Sequence, residues 1–398
     1  MARSGFVFSR TMIYLDNSAT TKQHPDVTKK MLEYMETSWG NPSSLHRAGL
    51  QAEKGVKEAR RQLERLMPEA GGRIAFTSGG TEADNLAIFG AAAARGRQGK
   101  RIVTTAVEHP AVLECCGKLE QEGFDIVRVG VDGQGRLDLE AMEEAIDGQT
   151  ILVSVMQVNN EVGTILPVEE IRRIIGQKQS PALLHCDAVQ SFGKILLPKS
   201  ADMISLSGHK IHGPKGSGAL WMRKGLHLPP LIFGGGQEGG LRSGTENVPA
   251  IAGLGLAASL AWEGREEKMA RISAMRNRLM EGLEESIDDA VINSPRQTGE
   301  KPGESCGTIL NVSFPGTRGE VILHTLEQSG ICVSTGSACS SNKKGRSHVL
   351  QAMGCDDGRI EGAIRFSLCA ENTMEEIEET IRRTEEAVKR FRRLGSFR

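Results

Sequence analysis

The stretch ADMISLSGHKIHGPKGSG, Ala201 to Gly218, decides how the chain folds. Met203, Ile204 and Leu206 among small residues read as a short buried strand, and the glycines after them impose a turn that presents Ser207, His209 and Lys210 together. In open α/β sheets ligands gather outside the carboxyl ends of the strands. A lysine held there suits Schiff-base chemistry, because desolvation lowers the ammonium pKa and frees the amine to attack a carbonyl. A surface lysine in a polar turn would spell the same four letters, SGHK, so the neighbourhood has to separate the two readings. Two look-alikes drop out. Gly208 to Gly213 has Walker A spacing, but Pro214 and Lys215 stand where that loop needs Lys and then Ser or Thr. His209 and His212 form an H-x-x-H with no convincing third ligand in the sequence, so no metal site is expected.

Upstream, strand and helix patterns alternate. Strands are predicted at Arg73 to Thr77, Arg101 to Thr105, Phe124 to Val129, Ile151 to Gln157 and Ala182 to His185, and beyond the lysine turn at Ala219 to Met222. Helical spacing falls at Pro25 to Trp39, Gln51 to Met67, Glu82 to Ala94, Leu139 to Ile146 and Val168 to Ile175. Such alternation implies a mainly parallel, doubly wound sheet. The polar clusters SGGTEADN, VEHPAV, VNNEVG and CDAVQS each follow a predicted strand, which is the strongest argument that Lys210 belongs to a site. SGGTEADN also opens a helix, and its N–H groups with the Thr81 hydroxyl make a phosphate cradle. Near the N-terminus, DNSATT is a polar turn placed to line a site.

Downstream, GGGQEGGLRSGTEN is too glycine-rich for regular structure and reads as a functional loop. One long helical stretch is predicted from Ile251 to Asn277. The remainder mixes strands at Thr308 to Phe314, Ile331 to Ser334 and Ala363 to Ser367 with helices at Glu320 to Ser329, His348 to Met353 and Met374 to Phe391, an α+β pattern.

With 398 residues there is room for two domains. The 49 basic and 50 acidic residues nearly cancel, which argues against nucleic acid or an anionic membrane as partner. No apolar run is long enough to span a bilayer. MARSGFVFSRT makes a poor signal peptide, Met12 is an alternative start, and a cytoplasmic protein is expected. The eight cysteines are scattered with no C-x-x-C pair, so most are expected reduced and buried.

As a set, the strand-end residues fit pyridoxal phosphate. Asp187 would pair with a pyridinium nitrogen and keep it protonated, Gln190 would bond the ring hydroxyl, and His109 would stack on the ring. Thr81, Ser207 and His209 would hold the phosphate, and Lys210 would carry the cofactor. A helix cap for Asp187 and a satisfied polar role for His109 explain each residue singly, but not the set.

The motifs YLDNSATT, GNPSSLH, FTSGGTEADNLAI, VEHPAV, VNNEVG, HCDAVQSFGK, SGHKIHGPKGSGAL, GGGQEGGLRSGTENVP, VSTGSACSS and IRFSL run in order from Tyr14 to Leu368. In them the chain resembles the pyridoxal-phosphate cysteine desulfurases of the iron–sulfur cluster assembly type, in the class-V branch of the aspartate aminotransferase superfamily. The resemblance implies an α/β fold of fold type I, with a large cofactor domain around a mainly parallel seven-stranded sheet and a smaller α+β domain. The large domain is expected over residues 16–262, the small one over 1–15 and 263–398. It implies a homodimer in which Thr245 reaches the partner subunit's cofactor phosphate, with Gly80 and Thr81 in the chain's own phosphate site. It implies Arg365, helped by Asn41, on the carboxylate of L-cysteine, and Asn160 beside the ring hydroxyl and substrate. Cys339 would take the sulfur as a persulfide, its thiolate favoured by Lys343, Lys344 and Arg346 in a mobile loop. No resident metal is implied, although Cys339 would be placed to contact a transferred iron–sulfur cluster. Acceptors would be an iron–sulfur scaffold or a tRNA-thiolation enzyme. A selenocysteine lyase or a cysteine sulfinate desulfinase is the alternative, and Cys186, Cys369 and the KKGR run depart from the pattern.

Overall fold

The computed structural model describes residues 12–69, 71–335 and 346–395. After the short strand β1 (Ile13–Tyr14) come helices α1 (Pro25–Leu32), continued by one π-helical turn, and α2 (Arg47–Glu64). Then β2 (Arg73–Thr77), α3 (Gly80–Arg95), β3 (Arg101–Thr105), α4 (Pro110–Gln121), β4 (Asp125–Val129) and α5 (Leu139–Ala145) alternate. They are followed by β5 (Thr150–Met156), α6 (Val168–Gln177), β6 (Leu183–Asp187), β7 (Met203–Ser207) and β8 (Gly218–Met222). The seven strands β2 to β8 form one sheet in the order β2-β8-β7-β6-β5-β3-β4, with β8 alone antiparallel to its neighbours. The expected mainly parallel seven-stranded sheet is therefore present.

Alternation along the strands builds a core on each face. Ile204, Leu206 and Trp221 pack with residues of α2, α5, α6 and α7 (Val248–Trp262), while Met203 and Leu220 pack with α3 and α4. Every residue of β5, β6, β7 and β8 is buried, as expected for strands covered on both faces.

The predicted single helix from Ile251 to Asn277 is two. Helix α7 ends at Trp262 and α8 (Arg265–Ser286) begins after Gly264, whose φ of 61° lies in the left-handed region that glycine adopts without strain. Trp262 and Met269 keep the helical period on either side, so the signals of the break are Gly264 and the polar run around it. Next come β9 (Val291–Ile292), β10 (Ile309–Ser313), α9 (Gly319–Gln328), β11 (Ile331–Cys332), α10 (His348–Ala352), α11 (Asp357–Glu361), β12 (Ala363–Ser367) and α12 (Met374–Gly395). Strands β12-β10-β9 form an antiparallel sheet, and β1 pairs in parallel with β11. Leu15 packs with Leu279, Phe314, Phe366 and Val388 in a separate apolar cluster. The sequence reading did not anticipate α4, α11 or β9. Among the described residues no helix is long and apolar enough to cross a membrane.

The edge strand β2 is covered by the glycine-rich loop. Glu238, its side chain 3% exposed, accepts from the Phe76 N–H at 3.1 Å and from Arg60 Nη2 at 2.9 Å. A carboxylate buried with these partners caps an otherwise sticky sheet edge. Glu238→Ala is expected to cost about 2–4 kcal/mol, because it leaves a buried N–H and a half-buried guanidinium without their acceptor. Urea unfolding measures this, and a loss below about 0.5 kcal/mol would contradict the assignment.

Candidate active site

The carboxyl ends of the parallel strands converge on a cavity of about 230 Å³. Strand β6 delivers Asp187, the end of β7 delivers Ser207, and the turn after it delivers His209 and Lys210. Gly80, Thr81 and Asp84 come from the start of α3, His109 from the N-cap of α4, and Asn160 from the turn after β5. Gln190 and Arg365 complete the wall together with Ser18 and Ala19 of the DNSATT turn. The residues read from the sequence as one set are thus brought together, with three exceptions.

Asn41 is exposed and does not line this cavity; its side chain accepts the Ser43 N–H at 2.9 Å. Thr245 lies in a separate pocket with Thr77, Ser78 and Arg242. Cys339, with Lys343 and Lys344, lies outside the described residues.

The N-terminal turn holds the lysine. Lys210 Nζ donates to the Ser18 carbonyl and, at 2.9 Å, to that of Ala19. Gln190 Nε2 donates to the same Ser18 carbonyl at 3.0 Å, and His209 Nδ1 lies 3.1 Å from Thr20 Oγ1. Arg365 donates through Nη1 to the Asn160 carbonyl at 3.0 Å and through Nη2 to Asp16 at 2.9 Å. Its buried Nε has no hydrogen-bond partner. The sequence reading placed DNSATT near a site but did not identify Asp16 as the partner of Arg365.

Burial sets the electrostatics. It raises the Asp187 carboxyl, opposed by the Val189 N–H at 2.9 Å and by the charge of Lys210. Asp84 is raised further, by burial and then by Asp187. His109 is held down to about 4 by burial, Lys210 and His348, so at neutral pH it is an uncharged imidazole. Its Nδ1 accepts the Ala111 N–H at 3.1 Å, which leaves the ring proton on Nε2. His209 is likewise held down to about 4 by burial, Lys210 and Lys215. His185, pushed down to about 3 by burial, sits between Ser154 and Ser205 at 2.9 Å each.

Two groups, one buried and one partly buried, escaped the sequence reading. Lys194 Nζ donates to Gln190 Oε1 at 3.2 Å, and burial lowers its pKa. Glu108 accepts from Thr105 Oγ1 and from the Met156 N–H behind the cavity. Both lie within motifs already noted, HCDAVQSFGK and VEHPAV, but their surroundings depend on packing that sequence spacing does not report.

The cavity fits pyridoxal phosphate on two observations. The buried Ser207 hydroxyl has no partner and sits beside the α3 N-terminus, whose N-cap Gly79 offers no side-chain cap, an arrangement that suits a phosphate. A buried carboxylate, Asp187, faces the same space as Lys210.

The Aminotransferase class-V family model matches residues 13–380. The chain is 44% identical over 391 residues to a cysteine desulfurase of Trichormus azollae, covering 98% of this chain and 96% of that one. It is 43% identical over 385 residues to a putative cysteine desulfurase IscS 1 of Bacillus subtilis strain 168, covering 95% and 99%. A solved structure described as a NifS-like protein superposes with a TM-score of 0.88 at 39% identity, over 95% of this chain and all of that one.

Glu108 carries a pH signature. Burial lifts its carboxyl from an ordinary 4.5 to about 8, against its hydrogen bonds from Thr105 and Met156. Between those values the folded chain keeps a proton that the unfolded chain has released, so stability falls as pH rises. The buried histidines are present in both proteins, so their contribution cancels in the comparison. From pH 6.5 to 8 the wild type is expected to lose up to about 1.4 kcal/mol per pH unit relative to Glu108→Gln. Parallel stability curves for the two proteins in urea would contradict this.

Proposed function

From the premise that the chain belongs to the class-V aminotransferase family, and within it to the cysteine desulfurases, we propose that it carries pyridoxal 5′-phosphate in the Lys210 cavity and passes the sulfur of L-cysteine to Cys339. The observation that carries this reading is the meeting of Lys210, Asp187 and an unpartnered Ser207 hydroxyl in one cavity at the strand ends.

Asp187 would face the ring nitrogen and Ser207, Thr81, His209 and the α3 N–H groups the phosphate. Gln190 and Asn160 would lie on the ring-hydroxyl side, with His109 against the ring. When bound, the cofactor supplies an electron sink for bonds at the substrate's carbon atoms. Arg365 suits the substrate carboxylate, since its fork binds carboxylate bidentately and Asp16 already occupies it with one. The substrate would displace Asp16 or share the guanidinium through the unpartnered Nε. His109 holds its proton on Nε2 and Lys210 supplies an amine, so both can move protons within the cavity. In the net reaction the substrate's C–S bond breaks, an S–S bond to Cys339 forms, and a proton goes to carbon. L-alanine and a Cys339 persulfide result.

Support for Cys339 comes from its fellow cysteines. Burial raises the thiols of Cys115, Cys116 and Cys369 to about 12 and lifts those of Cys186, Cys332 and Cys355. Cys306 is buried beside Thr308. The six raised thiols stay mostly protonated at neutral pH and are poor nucleophiles unless a metal displaces the proton. Acceptors of the sulfur would be iron–sulfur scaffold or tRNA-thiolation proteins in the cytoplasm.

The large domain would span residues 16–262 and the small one 1–15 and 263–398, meeting at the Gly264 break. A homodimer fits the position of Thr245 outside its own cavity and the exposed Trp39, Leu45 and Phe233. A single-chain mass in sedimentation would contradict it.

The test is mass spectrometry after one turnover with L-cysteine. One added sulfur is expected on the peptide containing Cys339, and Cys339→Ser should lose at least about 100-fold in alanine formation, because a hydroxyl without an activating base is a poor nucleophile. Sulfur on another cysteine, or a fully active Ser variant, would overturn the proposal.

A further inference from the structure

Beyond Lys210 lies a second cavity of about 340 Å³, and Ser18 and Lys210 line both. At its edge His212, from the lysine turn, meets Cys369 and Glu371, from the connection between β12 and α12. One ligand atom from each lies within 4.8 Å of the others. His212 Nδ1 is 2.9 Å from the Lys22 carbonyl, which only accepts, so that nitrogen carries the hydrogen. Nε2 is left facing the Glu371 carboxylate at 3.6 Å. Metal-bound histidines are typically oriented by such an outer carbonyl. Two acceptors facing each other beside a thiol call for a positive centre between them, either a proton or a metal ion.

The ligands are also held in place. The His212 N–H donates to Thr21 Oγ1 at 2.8 Å and its carbonyl accepts the His24 N–H at 2.9 Å. The Cys369 N–H donates to Asn372 Oδ1 at 2.9 Å. Glu371 reaches solvent and gives an ion its way in.

We propose that His212, Cys369 and Glu371 bind a borderline-soft divalent cation, with Zn²⁺ the best fit, leaving a fourth position open toward the cavity. Imidazole and thiolate disfavour Mg²⁺ and Ca²⁺, and three protein ligands with one open position is an arrangement zinc adopts. On binding, the Cys369 S–H bond breaks, its proton goes to solvent and an S–Zn bond forms, with no change of oxidation state. The ion fastens the Lys210 turn to the segment that follows Arg365 on β12. It is independent of which reaction the neighbouring cavity performs.

The probe is Zn²⁺ alone, added to the full-length cofactor-loaded chain carrying Cys339→Ser to remove a competing thiol. One zinc per chain is expected after gel filtration. Cys369→Ser and His212→Gln should each weaken binding more than about 100-fold, beyond the ~10–100-fold cost of losing an outer partner. Zinc-edge X-ray absorption should find one sulfur at about 2.3 Å among nitrogen and oxygen ligands at about 2.0–2.2 Å. Failure to retain zinc would mean that His212 and Glu371 form a plain ion pair, and would overturn the site. Zinc retained without a sulfur ligand, or equally by both variants, would overturn it too. If a variant fails to fold, the absorption spectrum of the Cys339→Ser parent decides alone.

Discussion

The grip of the N-terminal segment on the lysine turn is the interaction on which the rest of the site depends. The Thr21 N–H donates to the His209 carbonyl at 2.9 Å, while the Ser18 and Ala19 carbonyls accept from Lys210 Nζ. The same segment is sewn to the distant C-terminal part of the chain. The Leu15 N–H donates to the Cys332 carbonyl at 2.8 Å, and the Asn17 N–H and side chain both donate to the Ser367 carbonyl. One short stretch therefore sets the spacing between Lys210 on one sheet and Arg365 on the other. Breaking it would separate the two groups that, in the proposed function, act on one small amino acid.

The second constraint is desolvation. Asp84, Glu108 and Asp187 lie buried behind one cavity, and each is raised first of all by burial. A cationic ring nitrogen beside Asp187 would turn that penalty into attraction, since opposite charges favour the ionised form. Neutral histidines at positions 109 and 185 fit the same low-dielectric setting, because neither adds a charge that would compete for the carboxylates.

Much of this was legible in the sequence for a simple reason. In a parallel sheet site residues gather at the carboxyl ends of the strands, so Asp187, Ser207, Lys210 and Asn160 could be found by reading where apolar runs end. The aligned alternation of Met203, Ile204 and Leu206 between two cores follows from the same periodicity. What stayed hidden depends on distant pairing. Asp16 is polar in a turn, and nothing in the sequence says that it meets Arg365. Of the H-x-x-H only His212 meets other groups that could ligate, Cys369 and Glu371, and both come from the far end of the chain. Asn41 looked like a site residue through its motif, yet its side chain folds back onto its own loop. The break at Gly264 was missed because Trp262 and Met269, seven residues apart, keep the helical period on either side of the polar run between them.

In the proposed function the Lys210 cavity, and not the larger one beside it, holds the cofactor. Lys194 is the natural rival, since it is partly buried, has a lowered pKa and lines the second cavity. Borohydride reduction of the cofactor-loaded chain followed by peptide mapping separates the two directly. The reduced cofactor is expected on the peptide bearing Lys210, and label on Lys194 in its place would contradict the assignment.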